Sequence, residues 1–164
     1  IFRILKRNFS NNKKVKLVNI GLSERPSNKI FYINKLSSTS TMSKFNKNSK
    51  YLKFKNMITR SKKNYIDKYS VKTSSINMFF KKIKFQNCLL KIDVEGFEYN
   101  VLEGSKSKIG EINYILIENQ FGNLYENKSF DEIKSYLYKK KFKVEKKFLF
   151  PTLHYQDVIF KKFK

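Results

Sequence analysis

The stretch Leu89-Leu90-Lys91-Ile92-Asp93-Val94-Glu95-Gly96-Phe97-Glu98, continued by Val101-Leu102-Glu103-Gly104, constrains this chain more than any other part of it. A dense apolar run marks a strand buried on both faces, as central parallel strands are. Here the run leads directly into two carboxylates, a glycine and the first turn of a helix. In an open α/β sheet, ligands sit in the crevice beyond the carboxyl ends of the strands. The chain is therefore expected to be α/β, with its chemistry at this strand end.

The flanking patterns extend that expectation. Residues 1–9 show a helical apolar face at positions 1, 2, 4, 5 and 9. Residues 15–20 alternate with a period of two and read as a strand, and residues 29–35 read as a second. Residues 37–50 are rich in Ser, Thr, Asn and Lys without a period. They are expected to form part of a flexible polar insertion spanning about 37–65 within one domain. A short strand at 69–73 precedes a helix capped by Ser74 or Ser75. After the strand 88–94 comes a helix from Phe97 to about Ile109, then the strand Ile112-Asn113-Tyr114-Ile115-Leu116-Ile117-Glu118, again ending in an acid. Ser129 with Glu132 three residues on forms a capping box that opens a further helix. Two last strands, 142–150 and 155–163, flank Pro151 and Thr152 and are expected to pair antiparallel. The order of elements indicates a doubly wound α/β sheet with a C-terminal antiparallel hairpin.

Composition adds limits. Lys and Arg number 36 against 13 Asp and Glu, a formal charge of +23. Such a balance raises the reading of a basic nucleic-acid-binding module. The basic residues are almost all lysine, the only arginines being Arg3, Arg7, Arg25 and Arg60, and they are spread along the whole chain. Alanine and tryptophan are absent while Lys, Asn, Ile, Phe and Tyr abound, the profile of A+T-rich coding. No specific nucleic-acid partner is expected. Cys88 is the single cysteine, which precludes an intrachain disulfide and suits a reducing, cytoplasmic setting. No apolar run approaches the roughly 18 residues that span a bilayer. The chain opens at Ile1 inside a helical pattern, and is read as a fragment lacking its natural beginning.

The candidate chemistry lies at the strand ends. Asp93 and Glu95 are two residues apart and would share a side if the extended backbone persisted. Gly96 permits a sharp turn, and the helix N-terminus that follows favours ionised carboxylates. Such a site accepts a proton from a hydroxyl or holds a cation. Glu118-Asn119 repeats the arrangement on the next strand, and acids from two adjacent strands are the oxygen ligands a hard divalent ion takes. Simple helix capping and solvated strand ends are the plainer readings of the same residues, and no metal is expected. His154, the only histidine, is either a surface residue beside the Pro151 turn or a substrate contact.

These residues resemble a known family. Lys91-Ile92-Asp93-Val94-Glu95-Gly96-Phe97-Glu98, Val101-Leu102-Glu103-Gly104 and the strand ending Ile117-Glu118 look like the second half of the FkbM-type S-adenosylmethionine-dependent methyltransferases. Val18-Asn19-Ile20-Gly21-Leu22-Ser23 resembles that family's third strand and its loop. The resemblance implies a Rossmann-like class I methyltransferase sheet and methyl transfer from S-adenosylmethionine to a hydroxyl of a small molecule, sugar or glycolipid. It implies Asp93 as base or orienting acid and Glu95 as its support. Glu118, Asn119 and His154 would lie on the acceptor side, with Gly21 and Leu22 near the adenine. One departure stands out. The family holds the cofactor with a glycine-rich turn after its first strand, but the glycines here (Gly21, Gly96, Gly104, Gly110 and Gly122) form no G-x-G. The reading is thus a methyltransferase domain truncated at its N-terminus, its acceptor side present and its cofactor loop absent. The alternatives are the basic nucleic-acid-binding module and a non-catalytic degenerate domain.

Overall fold

The computed structural model describes residues 1–34, 39–58, 65–149 and 155–163. In chain order the elements are α1 (Phe2–Asn8), β1 (Gly21–Leu22), β2 (Ser27–Asn34), α2 (Lys50–Ile58), β3 (Tyr65–Ser74), α3 (Ile76–Phe79), β4 (Cys88–Ile92), α4 (Glu98–Glu103), a 3₁₀ turn (Lys106–Glu111), β5 (Ile112–Gln120), α5 (Phe130–Lys139), β6 (Phe142–Leu149) and β7 (Tyr155–Lys162). The chain is mixed α/β, but among the described residues its strands form two sheets rather than one. One has the order β1-β3-β2 and the other β4-β5-β7-β6.

The larger sheet follows the sequence pattern closely. β4 and β5 run parallel, with Ile92 opposite Ile117. Their connection is α4 and the 3₁₀ turn, the crossover that parallel pairing requires. β7 inserts antiparallel between β5 and β6, placing Glu118 opposite Asp157 and Asn119 opposite Gln156. The expected terminal antiparallel pair is therefore present. α5 opens on the expected capping box: the Ser129 hydroxyl accepts from the Glu132 N–H at 3.3 Å, and the Glu132 carboxylate accepts from the Ser129 N–H at 2.8 Å. α5 lies beside α4, where the Tyr136 hydroxyl donates to the Leu102 carbonyl at 3.2 Å and Tyr99 meets Tyr136 edge to face. Leu102, Ile115, Ile117, Leu137, Phe142 and Val158 are fully buried between this sheet and its helices. Each such side chain contributes about 1.5–3 kcal/mol by leaving water.

β4 occupies an edge of its sheet among the described residues, and Leu89 on it is 58% exposed. A strand of the sequence Cys-Leu-Leu-Lys-Ile carries the apolar density of a central strand, with Lys91 its only charge.

The first half departs from expectation at one strand. Residues 15–20 form no ladder, and the strand begins only at Gly21, which pairs parallel with Thr73 of β3. The alternation at 15–20 predicts one buried face, yet Val15, Val18 and Ile20 are exposed. A period of two specifies which side chains share a face and does not itself provide a neighbouring strand.

The stretch read as a flexible insertion over about 37–65 is anchored where it is described. Phe45 and Leu52 are buried with Leu124 and Tyr125 in a small second core. The serines and threonines that gave it a disordered appearance donate to backbone carbonyls: Thr41 to Glu95 at 2.6 Å, Ser43 to Gly96 at 2.6 Å and Ser49 to Gly122 at 2.7 Å. Residues 39–49 thus lie over the turn that follows β4. No helix among the described residues is long and apolar enough to cross a membrane.

Candidate functional site

β4 ends at Ile92, and the chain then turns sharply. Glu95 and Gly96 take left-handed backbone conformations, φ +53° and +86°. The extended geometry that would hold Asp93 and Glu95 on one side does not persist, and their carboxylates part. Asp93 stays exposed and pairs with the Lys91 ammonium at 2.5 Å. That hydrogen bond holds Lys91 above its ordinary value, and the charges of Asp93, Asp157 and Glu118 add to the effect. Glu95 turns the other way. Its Oε2 accepts from the Tyr125 hydroxyl at 3.1 Å and from the Gln120 amide, which also donates to Glu118 Oε1 at 3.1 Å.

On this second side lies a cavity of about 370 Å³, lined among others by Glu98, Glu118, Asn119, Gln120, Tyr125 and Phe130. Glu118 and Asn119 therefore stand where the strand pattern puts them, at the end of β5 and facing the cavity. Burial pushes the Glu118 carboxyl up against the hydrogen bond from Gln120, and the charges of Glu95, Asp93 and Asp157 push it further. Gly21 and Leu22 are not brought to this cavity. They sit in β1, where a Cβ on Gly21 would lie 3.0 Å from Thr73 Cγ2 and 3.5 Å from Met42 Sδ. His154 lies outside the described residues. No group of three or more His, Cys, Asp or Glu among the described residues is placed to hold a metal ion. Cys88 is half-buried against the main core, and burial pushes its thiol up, as suits a packing residue.

Three site residues had no assigned role in the sequence reading: Glu98, Gln120 and Tyr125. Glu98 carried a signal, since 98, 101 and 102 share one helical face with the apolar Val101 and Leu102. It is 8% exposed, and its Oε1 accepts from the Gly96 N–H at 2.9 Å. Burial pushes its carboxyl up to about 7; donation from its own and the Gly96 N–H opposes this, and the charges of Glu95 and Glu118 reinforce it. Because the folded value lies above the ordinary 4.5, the folded chain binds this proton more tightly than the unfolded chain. The associated stability is full below pH 4.5 and is lost as pH rises towards 7. Glu98→Gln cannot ionise. It should match the parent near pH 4 and exceed it by about 3 kcal/mol at pH 8. Urea midpoints at the two pH values measure this; a difference that does not change with pH would mean that Glu98 is not a buried neutral acid.

The mixed α/β fold, with acids at the ends of two adjacent parallel strands and a polar cavity at the end of the second, is consistent with a methyltransferase-like protein. The family profile of the methyltransferase FkbM domain matches residues 3–144. The chain belongs to the FkbM methyltransferase family. Neither a curated protein nor a solved structure matches it.

Proposed function

We propose that this chain forms the acceptor side of an S-adenosylmethionine-dependent O-methyltransferase. The observation that carries the reading is the placement, in a chain of this family, of carboxylates at neighbouring strand ends: Asp93 exposed just beyond β4, and Glu118 at the end of β5 facing the polar cavity. An alcohol is a weak nucleophile until its proton is removed or polarised, and a fixed carboxylate within reach does this. Asp93 takes that role, Glu95 braces the turn that carries it, and Glu118 with Asn119 orients the acceptor. The cavity wall is dominated by amides and carboxylates, with Tyr125 and Phe130 as its aromatic faces. That lining suits a hydroxyl-rich acceptor such as a sugar better than an apolar polyketide.

The described residues do not fit the whole of S-adenosylmethionine. They carry no G-x-G turn, and Thr73 and Met42 take up the space over Gly21. The open apolar edge of β4 offers the complement: further parallel strands paired there would cover Leu89 and bring a cofactor loop to the Asp93 end. The single thiol suits a cytoplasmic, reducing setting. Calorimetric titration of S-adenosylmethionine tests the arrangement. The 164-residue chain alone should show no saturable binding. A longer polypeptide that adds a glycine-rich strand–helix–strand unit at β4 should bind at micromolar concentration and transfer methyl groups. Micromolar binding by the short chain would place the whole cofactor site within it. Failure of both would remove the methyltransferase reading.

A further inference from the structure

Four aromatic rings form a continuous column that ends on the turn after β4. Tyr32 of β2 stacks on Tyr65 of β3 with centroids 4.4 Å apart, Tyr65 on Phe45 at 5.0 Å, and Phe45 on Tyr125 at 5.2 Å. The Tyr65 hydroxyl accepts from the Phe45 N–H at 2.6 Å, locking the middle of the column. The last ring lies against Gly96 so closely that a Cβ there would stand 2.7 Å from Tyr125 Cβ. The smaller sheet is thereby braced against the turn that bears Asp93 and Glu95.

The polar end of the column is more specific than packing requires. The Tyr125 phenol does not donate to a backbone carbonyl; it donates to the Glu95 carboxylate. On the same carboxylate oxygen the Gln120 amide donates, bridging to Glu118, while Gln120 Oε1 is buried without a hydrogen-bond partner. A buried acceptor left unsatisfied is costly, so the amide is held in this orientation by the two carboxylates it joins. The backbone carbonyls of Glu95 and Gly96 are fixed separately, by Thr41, Ser43 and Asn127. The main chain of the turn therefore does not need Tyr125's hydroxyl. The Glu95 side chain does.

We propose that Tyr125, backed by the aromatic column and acting with Gln120, is a positioning residue that fixes the Glu95 carboxylate between the ends of β4 and β5. The proposal rests on the methyltransferase reading above, because Glu95 matters only if the turn it braces carries out the chemistry.

Tyr125→Phe keeps the ring, the column and the cover over Gly96, and removes one donor. In the complete methyltransferase, kcat should fall about tenfold with KM within about twofold, as for a group that acts on the chemical step through another. The thermal midpoint should move little. The carboxyl ¹³C resonance of Glu95, assigned by its loss in Glu95→Gln, should titrate at higher pH in the variant, since a donor to its charged form has gone. Gln120→Leu should act in the same direction. A Glu95 resonance and a kcat both unchanged by Tyr125→Phe and Gln120→Leu overturn the proposal, and leave the methyltransferase reading standing if Asp93→Asn still abolishes turnover. A parent enzyme that transfers no methyl group overturns both. A fall in kcat that follows a fall in the thermal midpoint, with the Glu95 resonance unmoved, also overturns it, because the tyrosine is then structural only.

Discussion

Gly96→Ala is expected to destabilise the chain by about 2–5 kcal/mol, a large share of the usual domain margin of about 5–15 kcal/mol. Two independent effects combine. Gly96 has φ +86°, and an L side chain pays about 1–2 kcal/mol to adopt the left-handed region. Its Cβ would also enter the ring of Tyr125, 2.7 Å from that residue's Cβ and closer still to the ring carbons. Overpacking against a buried ring costs a further 1–3 kcal/mol or so. Tyr125 has little room to retreat, being stacked on Phe45 and buried with Leu52 and Leu124. Gly110→Ala is the internal control: nothing lies within 4 Å of the position its Cβ would take, so the substitution should be near neutral. Gly104→Ala falls on the costly side for a different reason. Its backbone suits alanine at φ −68°, but the Ser23 carbonyl occupies the Cβ position and would have to move. Urea midpoints for the three variants decide the matter; a Gly96→Ala loss no larger than that of Gly110→Ala would show that the turn is not packed as described.

The contrast between these glycines also shows what was legible in the chain and what was not. Local rules carried well where one element sufficed. The capping box at Ser129 and Glu132, an N-cap at one of the two serines Ser74 and Ser75 (Ser75 in the structure), the parallel pairing of β4 with β5 and the terminal antiparallel pair all follow from short-range pattern, and all are present. Non-local partners were harder to see. The alternation at residues 15–20 identified a strand-like face but contained nothing to pair with it. Residues 39–49 looked like a disordered polar segment because Ser, Thr and Asn favour solvent on average. Here those same hydroxyls satisfy the backbone carbonyls of a strained turn some fifty positions away, Thr41 to Glu95 and Ser43 to Gly96. The site was half legible for the same reason. Asp93, Glu118 and Asn119 follow from strand ends. The separation of Asp93 from Glu95 depends on a left-handed φ at a glutamate, which side-chain chemistry disfavours and which contacts from Thr41, Ser43, Asn127, Glu98, Tyr125 and Gln120 help hold in place. Tyr125 itself sits in a polar stretch and acquires its meaning from Phe45.

Asp93→Asn should reduce methyl transfer by about 10²–10⁴-fold, the range that loss of a positioned proton acceptor produces. The prediction follows from where Asp93 is rather than from how deeply it is buried. It stands just beyond the end of β4, the edge strand on which Leu89 is exposed. Its partner Lys91 is also largely exposed, so the ion pair contributes at most about 1 kcal/mol to stability. Asparagine preserves shape and hydrogen-bonding reach while removing the charge and the ability to accept a proton. The fold should therefore survive with a urea midpoint close to the parent's, separating this effect from that of Gly96→Ala. Lys91→Met provides the discriminating comparison. If the Lys91–Asp93 pair were merely a surface salt bridge, removing either partner would have the same small consequence. If Asp93 receives the acceptor's proton, Asp93→Asn should lose turnover while Lys91→Met keeps most of it. Equal turnover in Asp93→Asn and the parent would take Asp93 out of the reaction and leave Glu118, at the neighbouring strand end and facing the cavity, as the carboxylate to test next.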